Sequence, residues 1–363
     1  MRRAAVVLGA WLAVAGCAGS GAGSAATPTH ASAPVASPGP MGGPYGLLIA
    51  GGQLKLIRPD AGVAATAPIT LRGLDCSSQH DGVNMAPPVS ATTDSVYFRD
   101  GNKIRVVTPP AATQDVRSVP DSPSTVSFFS VSPDDQRIAY IVMDVSNPNT
   151  ISLTLHVGDL RGGSDTAIYS ITEPRSKTAT TLWPMGWHDG LLVLAVVPAC
   201  TFEPVGLYPS EWHVANATTA DRVTTIKGVN CELGVQASPA GVSCADSSGT
   251  TTMYDWSNNV LGVTGPGTSF SGLDTGLSPK GNSIYFATTG LAAPATRLVQ
   301  LGPGPYATVQ GHAACGWIDE DHLLSPDAVI TFPAETPGNH EVRTSVKSLG
   351  QAGVCAGRFP GNL

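Results

Sequence analysis

Ser132-Pro133-Asp134-Asp135-Gln136-Arg137-Ile138-Ala139-Tyr140 returns, with the same turn chemistry and the same apolar run behind it, as Ser278-Pro279-Lys280-Gly281-Asn282-Ser283-Ile284-Tyr285-Phe286. A degenerate copy runs from Ser90 to Phe98, and another begins Ser238-Pro239-Ala240-Gly241. A variant, Gly-Trp followed by an acidic turn and Leu-Leu, starts at Gly186 and again at Gly316. The six starts, at 90, 132, 186, 238, 278 and 316, are 42, 54, 52, 40 and 38 residues apart. Self-similarity at a period of about forty, with about four short strands in each unit, predicts the blades of a β-propeller. Few other folds tolerate such a repeat.

The motif has a physical reading. A strand along the central channel ends at Ser-Pro, where proline sets φ for a tight turn and Asp, Asn or Gly completes it. An apolar strand such as Ile138-Ala139-Tyr140 then returns between neighbouring blades. From Pro44 onward, β-branched and aromatic runs are broken by Gly, Pro, Asn and Asp, and no stretch carries a helical period. The class is therefore all-β. Residues 46–71 supply three more strands without a recognisable first one. Six or seven blades fit, and seven is favoured, closed by pairing strands from the two ends of the body so that no blade can unzip.

The N-terminus reads differently. Arg2-Arg3 precede a short apolar stretch, Ala4 to Ala15, and then Gly16-Cys17, which has the pattern of a secretory signal over residues 1–16. The stretch is too short to span a bilayer, and no run of about 18 apolar residues follows elsewhere. Val14-Ala15-Gly16-Cys17 resembles the bacterial lipobox, in which a small residue precedes the cut and the thiol after it carries a diacylglycerol. The competing reading is a plain secretory signal with an incidental cysteine. Ala18 to Gly43 is Ala, Gly, Ser, Thr or Pro except for His30, Val35 and Met41, and holds no Asp, Glu, Lys or Arg. Such a segment buries too little to order itself and forms a tether with a span of ~30 Å. The expected layout is a signal at 1–16, lipidated Cys17 with its tether through 43, and a propeller from 44 to 363. The protein is expected on the extracytoplasmic side of the cell membrane.

Charge and cysteines bound the partners. With the signal removed, 18 basic and 27 acidic residues remain, a formal −9. No basic cluster exists for phosphate contact, so nucleic acid is excluded, and membrane attachment falls to the lipid alone. Apart from Cys17, six cysteines remain in an exported chain: Cys76, Cys200, Cys231, Cys244, Cys315 and Cys355. An even number reads as three disulfides with fifteen connectivities. Cys231 and Cys244 flank a hairpin, Cys315 and Cys355 share the last repeat, and elimination leaves Cys76 with Cys200. No Cys-x-x-Cys or zinc-type spacing occurs, so no metal is expected.

The Ser-Pro-Asp-Asp-Gln-Arg-Ile-Ala-Tyr element resembles the TolB-like and WD40-like propeller repeats of bacterial envelope proteins. Together with the lipobox-like tetrapeptide, the chain is similar to propeller lipoproteins of the actinobacterial type, with which 14 Arg against 6 Lys agrees. It lacks the additional N-terminal domain of a periplasmic TolB and the Trp-Asp dipeptides of WD40 blades. The resemblance implies a fold and no particular activity.

Catalytic signatures are missing: no G-x-S-x-G elbow, H-E-x-x-H, Walker loop or EF-hand loop is present, and no cofactor motif. His80-Asp81, His188-Asp189, Asp321-His322 and His340-Glu341 are adjacent pairs, which on a strand point to opposite faces. They read first as turn residues. Two segments draw notice. Asp75-Cys76-Ser77-Ser78-Gln79-His80-Asp81-Gly82 gathers polar groups in a blade-connecting loop, either at a channel mouth that binds a ligand or as a solvated loop pinned by Cys76. The insertion from Pro198 to Trp212 carries Phe202, Tyr208 and Trp212, either exposed for an envelope or extracellular partner or packed as satellite core. The expected function is a membrane-anchored platform that binds a protein or small ligand. The alternative is a hydrolase or lyase at the channel mouth using His80, Asp81 and His188.

Overall fold

Every regular element among the described residues is a strand, and the strands assemble into seven antiparallel sheets of four. A computed structural model describes residues 41–71, 88–108, 112–175, 179–199, 209, 211–228, 230–231, 236–248, 250–264, 273–288, 293–301, 307–332 and 344–363. Blades 2 to 7 use consecutive strands, within 89–118, 125–174, 180–227, 230–264, 273–310 and 316–348. Blade 1 takes three strands from 45–68 and its first, Val354–Phe359, from the far end of the sequence. Tyr45 pairs opposite Phe359, so the first strand missing from 46–71 is the last one in the chain. Closure by the two ends, with seven blades, is what the repeat predicted.

First strands of neighbouring blades lie side by side and ring the axis: Val89–Ala91 next to Thr125–Val131, that next to Thr180–His188, and Val354–Phe359 between Gly316–Trp317 and Val89–Ala91. Burial falls outward from there. In blade 3 the inner strand Thr125–Val131 is buried beyond its first residue, whereas the outer strand Asp165–Pro174 is largely exposed. Second strands such as Ser283–Thr288 are covered on both faces by adjacent blades, which is why they read as continuous apolar runs rather than alternating ones. Five blades carry a register shift between their third and fourth strands. Such a bulge adds twist and splays the outer strand.

The Ser-Pro turn is built alike in blades 3 and 6. The Ser132 carbonyl accepts from the Asp135 N–H at 2.9 Å and its N–H donates to the Arg137 carbonyl at 2.9 Å; in blade 6, Ser278 is bonded to Gly281 at 2.9 Å and Ser283 at 2.7 Å. The hydroxyl closes the same ring, accepting from the Arg137 N–H at 2.8 Å and from the Ser283 N–H at 3.1 Å. Asp135 and Gly281 take positive φ, 57° and 74°, the conformation that Gly adopts freely and Asp tolerates. Turns also join blade to blade. Ser95 donates to Asp135 at 3.0 Å, Ser238 to the Ser278 carbonyl at 2.7 Å, and Ser278 to Glu320 at 2.7 Å.

The Gly-Trp variant proves to be a latch on the preceding blade. The Trp187 indole N–H donates to the Ser130 carbonyl at 3.4 Å, and that of Trp317 to the Gly276 carbonyl at 2.8 Å. Both acceptors stand two residues before the Ser of a Ser-Pro turn. Both tryptophans are buried, so each indole satisfies its polar atom while filling the seam.

Two of the expected disulfides join Cys231 to Cys244 and Cys315 to Cys355. Cys231 and Cys244 face each other across the first hairpin of blade 5. Cys315 and Cys355 do not share a blade, as the repeat assignment had them. Cys355 lies in the closing strand of blade 1 and Cys315 precedes blade 7, so this bond staples the closing seam. Met41, assigned by composition to the tether, is buried in the blade 1 core, so packing starts ahead of Pro44. Residues 1–16, Cys17, Cys76 and Cys200 lie outside the described residues.

Candidate functional site

The C-terminal residues cross from blade 1 to the inner strands and loops of other blades. The Gly361 N–H donates to the Thr92 carbonyl at 3.1 Å, the Gln236 side-chain amide donates to the Gly361 carbonyl, and its Oε1 accepts from the Arg358 N–H at 2.8 Å. Leu363 packs against Gly186, where a Cβ would collide with it. The space left among Val131, Trp187, Gln236 and Asn362 is about 20 Å³, room for one water. Arg358 is buried beside these contacts, and its guanidinium reaches the carbonyls of Pro360 at 3.3 Å and Ala237 at 3.5 Å. Burial lowers its pKa to about 10.

A polar cluster joins blades 2 and 3. Tyr140 donates to Asp165 at 2.6 Å, Arg117 pairs with the same carboxylate oxygen, and the His156 Nδ1 meets the other at 3.2 Å. The Tyr140 and His156 rings stack at 4.8 Å. Burial, and then the bond to Asp165, push the Tyr140 phenol up to about 12. A phenol so hard to ionise does not serve as a base near neutral pH, and both Asp165 oxygens are engaged. This cluster is a clamp between blades.

A cavity opens between blades 3 and 4. It measures about 210 Å³ and is walled by Leu153, Leu155 and Ile171 from blade 3 and by Leu182, Leu194 and Ala215 from blade 4. The alternating residues Leu192, Leu194 and Val196 share one face of their strand, and register sets Ala215 opposite Leu192 and His213 opposite Leu194. Polar groups also line it: Tyr169, Glu173, Thr180, His213 and Arg222. The His213 Nε2 bonds Glu211 at 2.9 Å, and Lys227 pairs with the other Glu211 oxygen at 2.8 Å. Bonds from His213 and Lys227 hold the Glu211 carboxyl below its usual range, while burial holds His213 low and therefore neutral near pH 7. Arg222 and Glu173 form no ion pair among the described residues. A cavity that combines apolar walls with a few polar groups not spent on one another is the arrangement of a small-ligand site.

The residues singled out by sequence are distributed unevenly. His80, Asp81, Phe202 and Tyr208 lie outside the described residues, as do Cys76 and Cys200. Trp212 is corrected: it is fully buried in the strand Glu211–Asn216, with its ring 5.6 Å from that of Trp256 in blade 5. It is core, because the strand begins at Glu211 and turns the indole into the blade 4–blade 5 seam. His188 sits 3.5 Å from Asp189 in its hairpin turn, and His322 turns to Asp319 at 2.7 Å rather than to its neighbour Asp321. Among the described residues no three His, Cys, Asp or Glu side chains gather as a metal site. Sequence reasoning missed His213, Arg222 and Ala215. The one available signal was the alternation Trp212-His213-Val214, which puts a histidine on the face opposite a buried tryptophan.

No protein-family model matches the chain, and no curated protein does. Solved structures similar to it include TolB from Acinetobacter baumannii, at 15% identity and TM-score 0.36 over 68% of this chain and 57% of that one. The WD40 domain of Toxoplasma gondii coronin is 9% identical with TM-score 0.39 over 76% of each chain. A protein from Lactobacillus plantarum is 13% identical with TM-score 0.40, covering 88% of this chain and 96% of that one. None is near enough to bear on function, and the seven-bladed fold rests on sheet order and strand register.

Proposed function

We propose that this chain is an extracytoplasmic lipoprotein, held to the cell membrane by a lipid on Cys17, whose propeller is a binding platform in the envelope. The cavity between blades 3 and 4 carries the binding half of the reading: its walls combine leucine, isoleucine and alanine side chains with Arg222 and Glu173, which form no ion pair among the described residues, whereas the space beside the C-terminal residues is small. Val14-Ala15-Gly16-Cys17 and the uncharged segment after it support the anchoring half. A charge of −9 on the processed chain leaves covalent lipid as the means of attachment to an anionic bilayer. The anchor is tested by Cys17→Ala and membrane fractionation. Blocked processing of the variant is expected; a variant cut and pelleted like the native chain contradicts it.

A further inference from the structure

Charges of both signs line the cavity between blades 3 and 4, and strand register says where each stands. Arg222 pairs with Ala215, Ala215 with Leu192, and Leu192 with Trp187, whose indole is bonded to Ser130 of blade 3. Within blade 3, Ser130 pairs with Ala139 and Ala139 with Val157, whereas Glu173 pairs with Ile151. The two charges are therefore offset along the seam by the stretch from Ile151 to Val157, ~20 Å of strand. Arg222 and Glu173 lie toward opposite ends of one cavity and form no ion pair with each other. His213 stands between these levels, opposite Leu194. Its Nε2 is bonded to Glu211, held ionised and able only to accept, while burial keeps the imidazole itself neutral. The ring proton is therefore on Nε2, and Nδ1 keeps an acceptor lone pair on a residue that lines the cavity. Tyr169 and Thr180 add hydroxyls to the same lining. A bare alkyl chain would leave these groups unused, and an amide backbone would use them. A cavity of about 150 Å³ takes a benzene ring, so one of about 210 Å³ takes a leucine-sized side chain with part of its backbone.

We propose that this cavity binds a short peptide with both termini free, about three residues long and carrying one large apolar side chain. That side chain lies against Leu194 and Ala215, the carboxylate is paired with Arg222, the ammonium is paired with Glu173, and an amide N–H donates to the His213 Nδ1. Three extended residues span at most ~10 Å, and the long side chains of Arg222 and Glu173 reach in from the two ends. This deepens the binding half of the proposed function and makes no use of Cys17, so failure here leaves the anchor untouched, and the reverse.

Equilibrium dialysis of labelled Gly-Leu-Gly, its N-acetyl form, its C-terminal amide and ω-aminooctanoate tests it, with the full chain in lipid nanodiscs and the Ala215→Ile chain as the reference for retention elsewhere. The native chain should retain the free peptide above that reference, and blocking either terminus should weaken it by about two- to fivefold, as befits an exposed ion pair. Glu173→Gln should abolish the difference between the free and acetylated peptides and leave the effect of the amide; Arg222→Gln should do the reverse. ω-Aminooctanoate, with both charges and no amide, should be held at least about twofold less well than the peptide, for want of a hydrogen bond. If Ala215→Ile does not fold, Val196→Phe narrows the same cavity and replaces it. Equal retention by native and filled chains, blocked peptides held as well as the free one, or blocking effects that survive both charge substitutions overturn the proposal. So does ω-aminooctanoate held as well as the peptide or better, a result that leaves the cavity a ligand site and removes the peptide from it.

Discussion

At the seam between blades 6 and 7, a row of side chains runs outward from Trp317 through Leu323 to Ile330, each set opposite the next by strand register. At the seam between blades 3 and 4 the corresponding row is Trp187, Leu192 and Ala215. Two residues further along, Phe332 in blade 7 stands where blade 4 has Ala217. Both seams begin with the same Gly-Trp variant and are latched by the same indole bond to the preceding blade. Ile330 and Phe332 join a buried cluster with Tyr285, Leu298 and Val309 of blade 6, whereas Ala215 borders a cavity. The latch at the axis fixes how blades meet; side-chain volume on the third strand decides whether the outer half of the seam is solid or hollow.

The largest expected effect comes from making the solid seam resemble the hollow one. Ile330→Ala removes fully buried carbon from the blade 6–blade 7 cluster and should cost about 2–5 kcal/mol, read from the midpoint of urea unfolding. A loss under about 1 kcal/mol would mean that the seam collapses around the deletion and that volume is not what distinguishes the two. The reverse exchange should have a smaller effect of opposite sign. Ala215→Ile fills existing space and adds a β-branched residue to a strand, for a gain of about 1 kcal/mol. A destabilised variant would show the hollow seam to be too narrow for the added carbons.

The smallest difference is in pH response. Position 213 faces its seam with a histidine, whereas the equivalent register position in blade 7 is Ala328. Burial depresses the His213 pKa in the folded chain below its ordinary value of 6.5. Between those two values the unfolded chain binds the additional proton, so stability is full above the unfolded value and falls as pH drops below it. Arg222 and Lys227 act in the same direction and Glu211 opposes them. His213→Asn should flatten the slope of thermal midpoint against pH below neutrality; an unchanged slope would assign it to other groups.

Much of this fold was legible in the sequence because its determinants are local. Ser-Pro followed by Asp-Asp or Lys-Gly writes a turn into four residues, and the structure builds it with the same bonds in blades 3 and 6. Cys231 and Cys244 were readable for the same reason, across one hairpin. Closure was legible from a deficit: three strands at one end called for a fourth from the other. The site was not legible, because a cavity is a relation between residues far apart in the chain. Ala215 becomes meaningful only against Leu153 and Leu155 on the neighbouring blade. Nor does anything in Gly361-Asn362-Leu363 announce that it reaches across the ring, since its partners Thr92, Gln236 and Gly186 come from three other blades. Trp212 stayed open between two readings for a related reason: composition marks an aromatic, but strand phase decides which way it points.

The contrast between a hollow and a solid seam is tested most directly by xenon, which enters dry apolar cavities and leaves packed interiors empty. Crystals of the protein pressurised with xenon should show density between blades 3 and 4, against Leu194 and Ala215, and none between blades 6 and 7. The site should vanish in Ala215→Ile. Xenon in both seams, or in neither, would contradict the assignment of the cavity to the volume missing at Ala215.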